Sequence, residues 1–89
     1  MLFETTEEII LDVATRFKKI RKVKGITQFD LSKMSNVSYG TIKRFETTGE
    51  ISLHSLVMLC QALGIENEIT KLFETIPFTD ISEVIKYVK

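Results

Sequence analysis

Apolar residues recur every three or four positions along most of this chain, and a small polar residue or a glycine punctuates the recurrence at intervals. From residue 9 to 24, Ile9, Ile10, Val13, Phe17 and Ile20 form the single buried stripe expected of an amphipathic helix, and Gly25 is placed to stop it. Thr27 then offers a hydroxyl to cap a second helix, with Asp30 three residues on in the place of a capping-box acid. Leu31 and Met34, three apart, give that helix one apolar face. Asn36 tolerates the left-handed conformation and marks a turn. Ser38 caps a third helix with Ile42 and Phe45 inward, ended by Gly49. Ser52 caps a fourth, with Leu53, Leu56, Leu59, Cys60 and Leu63 inward and Gly64 at its end. Residues 66 to 75 continue as a fifth, with Ile69, Leu72 and Phe73.

The helical period throughout predicts an all-α, compact five-helix unit. Pro77 breaks the pattern and separates residues 1–76 from an appendage at 77–89. Within the appendage, Thr79 can cap an additional C-terminal helix carrying Ile81, Val84, Ile85 and Val88 at i, i+3, i+4 and i+7. Its apolar stripe, like Leu2 and Phe3, exceeds what a five-helix core requires. The last helix is expected either to pack across the first or fifth helix of its own chain or to meet a second copy about a two-fold axis. In the second case the interface comprises Leu72, Phe73, Phe78, Ile81 and Ile85.

The segment 27–49, two short helices joined by a tight turn, is the most informative stretch. Its second helix, residues 38 to 47, opens with small and polar residues and then carries a Lys-Arg pair, which suits a helix whose first turn enters the DNA major groove. Ser38 serves as cap and is placed to touch a phosphate. Tyr39 faces a base edge, a thymine methyl or the sugar-phosphate rail. Gly40 is a poor helix former whose value lies in close approach of backbone to DNA. Lys43 is expected at a base, and Arg44 at a base or a phosphate. Thr47 and Thr48 are expected to hydrogen-bond phosphate from the loop.

Charge sharpens this expectation. The formal net charge is +0, which taken alone disfavours nucleic-acid binding. Its distribution points the other way. Residues 15 to 45 carry nine Lys or Arg against Asp30 alone, a sum of +8, while the segments on either side sum to −4 each. A basic block coincident with the turn motif is the electrostatic footprint of DNA binding.

From about Val13 to Phe73, two thirds of the chain, the sequence resembles the lambda-repressor-like (XRE, or Cro/C1-type) helix-turn-helix family. The resemblance rests on Gly25-Ile26-Thr27-Gln28, Leu31, Val37-Ser38, Thr41-Ile42, Arg44, Glu46, Gly49 and the Leu53, Leu56, Leu59, Leu63 ladder with Ala62 and Gly64. Asn36 stands where that family usually has Gly, and Ser32 where it usually has Ala. The sequence ETTG replaces a shorter Glu-Xaa-Gly, so the loop after the recognition helix is expected to be one residue longer. The resemblance implies a sequence-specific transcriptional repressor that binds a palindromic operator in double-stranded DNA as a homodimer. It implies that Gln28 meets a phosphate, and that Arg21 and Glu46 form a partly buried structural ion pair. A narrower similarity, in Phe45-Glu46, the TTG run and the Pro-Phe segment, is to HipB-like antitoxins, whose partner is a HipA-like kinase toxin.

Other chemistries find little to work with. One His and one Cys do not assemble a nucleophile, base and orienting group, nor a metal site, and no Gly-rich phosphate loop occurs. Cys60 among leucines reads as a core thiol and His54 stands alone. We expect no enzymatic activity, no cofactor and no small-molecule substrate. A single cysteine fits a reducing compartment, no apolar run reaches about 18 residues, and the N-terminus is acidic where a signal peptide is basic. The expected location is the cytoplasm, at the nucleoid.

Overall fold

The computed structural model describes residues 4–75. The anticipated C-terminal helix, with Phe78, Ile81, Val84, Ile85 and Val88, lies outside the described residues, as do Leu2 and Phe3. Five helices follow one another: α1 (Thr6–Val23), α2 (Gln28–Ser35), α3 (Tyr39–Thr48), α4 (Leu53–Leu63) and α5 (Glu66–Thr70). α3 packs on α1 and α2, α4 on α2, and α5 on α4.

α1 begins earlier than the apolar stripe indicates. Thr5 and Glu8 form a capping box: the Glu8 N–H donates to Thr5 Oγ1 at 3.1 Å, and the Thr5 N–H donates to Glu8 Oε1 at 2.8 Å. Two otherwise unpaired donors are satisfied, so the helix starts at Thr6. The face it buries also differs from expectation. Ala14, Phe17 and Arg21 are buried, whereas Ile9 and Val13 are 50% and 44% exposed. Apolar weight alone overlooked a small residue and a charged one lying on the buried side.

α2 shows the same correction. Leu31 is fully buried, but its companion is Ser35 at i+4 and not Met34, which is 53% exposed. Ser35 is tolerated there because its hydroxyl accepts the N–H of buried Val37 at 3.1 Å, satisfying a donor inside the turn. Thr27, Ser38 and Ser52 each cap the following helix through a side-chain oxygen. Asn36 takes φ 62°, ψ 20°, and turns the chain between α2 and α3.

Thr47 and Thr48 belong to the last turn of α3 and not to the loop after it. Gly49 ends that helix at φ 84° and presses on α1: a Cβ there would sit 2.0 Å from Ile10 Cγ2. Leu53, expected inward, is 66% exposed at the first position of α4, while Leu59, Cys60 and Leu63 are buried. α5 is shorter than expected. It ends at Thr70, and Leu72 and Phe73 follow in turns, 52% and 90% exposed.

The centre of the molecule is Leu31, Ile42, Phe45 and Leu59, one fully buried side chain from each of α2 and α4 and two from α3. Phe17 of α1 meets Phe45 edge-to-face, ring centroids 5.3 Å apart. α3 thus lies across the core with its other side left to solvent.

Candidate nucleic-acid interface

Three side chains fix α2 and α3 to α1. Arg21 forks onto Glu46, with Nε donating to Oε2 at 2.7 Å and an NH2 hydrogen to Oε1 at 2.8 Å. Its remaining NH1 group donates to the Ile26 carbonyl at 2.8 Å, which anchors the chain between α1 and α2. Gln28 Nε2 donates to Glu46 Oε1 at 2.9 Å. The Arg21 and Glu46 side chains are only 7% and 2% exposed. Among the described residues no buried side-chain polar atom lacks a partner.

The hydrogen bond to Glu46, against an opposing effect of burial, raises Arg21 above its ordinary pKa. Burial pushes the Glu46 carboxyl up, but the hydrogen bonds from Arg21 and Gln28 and the charges of Arg21 and Lys18 outweigh it. The carboxyl therefore rests below its usual range. Both groups are charged at neutral pH. Gln28 is half-buried within this cluster. One of its two amide hydrogens is committed to Glu46, which leaves the side chain one further donor.

The first turns of α2 and α3 meet on the outside. Phe29 and Tyr39 pack edge-to-face, centroids 6.0 Å apart and planes at 89°. Phe29 is 53% exposed and Tyr39 45%. Lys33 Nζ stands 4.6 Å from the Phe29 ring centroid, and Lys43 Nζ stands 5.1 Å from that of Tyr39. In each helix an aromatic residue precedes its lysine by four positions, one helical turn. Phe29 and Lys33 were not among the expected site residues. The repeated aromatic-to-lysine spacing was the available signal.

The expected residues of α3 and its cap divide into two groups. Tyr39 and Lys43 join the outer cluster, with Ser38 and Gly40 exposed beside Tyr39. The Ser38 hydroxyl accepts the Thr41 N–H at 3.1 Å and donates to Thr41 Oγ1 at 2.7 Å, so it is committed to capping. Gly40 presents bare backbone, with nothing within 4 Å of where a Cβ would stand. Arg44 points toward the other end of α3 and pairs with Glu50, both largely exposed. Thr48 is also engaged there: its hydroxyl donates to the Arg44 carbonyl at 2.8 Å and accepts the Glu50 N–H at 3.1 Å. Thr47 is exposed on the same turn. Cys60 is buried, and burial with nearby Glu68 and Glu66 pushes its thiol pKa up. It is a packing group held protonated.

Two helices joined by an αL turn, with the second exposed along its leading edge and locked by a buried ion pair, define a helix-turn-helix protein. A family model for the Cro/C1-type HTH DNA-binding domain matches residues 16–77, and the chain belongs to that family. No curated protein and no solved structure matches the chain. Among the described residues no helix is long and apolar enough to cross a membrane.

Proposed function

We propose that this DNA-binding regulator is a transcriptional repressor, and that it binds a palindromic operator as a homodimer through α3. The observation that carries the proposal is the outer cluster. The N-terminal turns of α2 and α3 converge there, and Lys33 and Lys43 are held over Phe29 and Tyr39 on one exposed face. Free N–H groups at helix starts favour phosphate, and cations beside them add attraction. Tyr39, Gly40 and Lys43 are then the groove-facing residues. Ser38 and Gln28 flank them, with Arg44, Thr47 and Thr48 further along the backbone.

The homodimer draws support from a second surface. An apolar groove of about 260 Å³ runs between α1, α4 and α5, lined by Val13, Phe17, Leu56, Ile69 and Leu72. Leu72 and the almost fully exposed Phe73 follow α5 directly. A homodimer that reads a palindrome needs its two recognition helices about 34 Å, one DNA turn, apart.

Fluorescence anisotropy on the DNA upstream of the chain's own gene, with a scrambled duplex and a salt titration, tests the function. The expected result is a preference of about 10³ or more for the native duplex, lost in Lys43→Ala. Sequence-blind binding that disappears near physiological salt would overturn specific repression. In that case, co-purification with the product of an adjacent kinase-like gene would support the antitoxin role. Light scattering decides the dimer, since a monomer mass at every concentration would exclude it.

A further inference from the structure

The outer cluster contains one residue that the usual logic of a recognition helix leaves unused. Phe29 lies on α2, not α3. It is 53% exposed. A single exposed apolar side chain is ordinary. Here, however, two aromatics on different helices touch each other on the outside, and each carries a lysine at its ring. From residue 27 to residue 43 the only acid is Asp30, against Lys33 and Lys43. The apolar patch is therefore rimmed by cations, which fits a polyanion and opposes a basic or neutral protein surface.

We propose that Phe29 is a specificity-determining residue for DNA: with Tyr39 it forms an apolar wall that receives the 5-methyl group of a thymine in the major groove. The proposal rests on the DNA-binding function argued above. A phenyl ring has neither donor nor acceptor for a base edge. Among the groups displayed in the major groove, the thymine methyl is the one apolar partner such a ring can bury. Tyr39 supplies the adjoining wall from the leading turn of α3. Lys33, reaching past Phe29 from one turn further along α2, meets the phosphate beside that thymine.

The test begins by selecting duplexes from a random pool with wild-type protein and with Phe29→Ala and Phe29→Leu. Anisotropy then follows on the selected duplex, with deoxyuridine replacing thymine at one position at a time. Deoxyuridine keeps the pairing and removes only the methyl. At one position in each half-site the wild type is expected to lose about fourfold in affinity, the value of one buried methyl-sized group. Phe29→Ala is expected to bind the thymine and deoxyuridine duplexes alike, and Phe29→Leu to keep part of the discrimination. Thermal melts matching wild type confirm that the variants fold. If the wild type selects a consensus but the deoxyuridine penalty is equal in wild type and Phe29→Ala, the wall does not exist while DNA recognition stands. If wild type selects no sequence at all, both fall together.

Discussion

At the scale of single residues, the decisive pair is Arg21 and Glu46. A buried charge left without its partner is far costlier than the pair itself is favourable. Arg21→Ala strands the Glu46 carboxylate with Gln28 alone, and Glu46→Ala strands the guanidinium with the Ile26 carbonyl. Each is expected to lower unfolding free energy by roughly 3–5 kcal/mol in urea melts. The pair also sets a pH dependence. Glu46 titrates below its ordinary value in the folded state, so its contribution is complete above the usual carboxylate range. It is lost as pH falls through the depressed folded value. Thermal melts should show the wild type's advantage over Glu46→Gln level near neutrality and shrinking on acidification. An advantage independent of pH would remove the carboxylate from the account.

Gly40 separates stability from function at the same scale. Glycine inside a helix costs about 0.5–1 kcal/mol relative to alanine, and a Cβ at this position meets nothing in the protein. Gly40→Ala is therefore expected to raise the melting temperature. If the backbone at Gly40 approaches DNA closely, the same variant binds DNA more weakly. A gain in stability with unchanged affinity would show that the position is open in the complex as well.

At the scale of elements, Gly49 joins the end of α3 to the N-terminal part of α1. Alanine there must hold φ near 84° and place its methyl 2.0 Å from Ile10 Cγ2. Left-handed backbone costs an alanine about 1–2 kcal/mol, and a forced methyl in a packed contact about 1–3 more. Gly49→Ala should accordingly destabilise the fold by more than 2 kcal/mol, measured by denaturant unfolding. Such punctuation was what the sequence displayed best. The caps Thr27, Ser38 and Ser52, the αL turn at Asn36 and the stop at Gly49 all act locally, through groups three or four residues apart. The face of each helix was harder to read, because burial is decided by distant neighbours. Ser35 replaces Met34 inside because a turn N–H needs its hydroxyl. Arg21 lies inside because Glu46 meets it from another helix, a partner that the family resemblance supplied and the apolar stripe did not. Of the candidate site, Tyr39 and Lys43 were legible from their place after a cap. Phe29 and Lys33 were not, since only the packing of α2 on α3 brings them alongside.

At the scale of the whole molecule, zero net charge conceals a basic middle flanked by acidic ends. Binding carried by such a local patch must depend steeply on salt, because each neutralised phosphate releases condensed counterions. The slope of log affinity against log salt is about −0.9 per phosphate contact on duplex DNA. This makes Lys33 a counter of subunits. If Lys33 meets a phosphate, Lys33→Ala removes one contact from each bound copy. If one copy binds, the magnitude of the slope falls by about 0.9; if two bind related by a two-fold axis, it falls by about 1.8. The reduction should be similar on scrambled DNA, because a phosphate contact carries no sequence information. Anisotropy titrations at four or five salt concentrations resolve these cases. A change near 0.9 on the native duplex would set the protein down as a monomer on its site, and an unchanged slope would place Lys33 away from the DNA altogether.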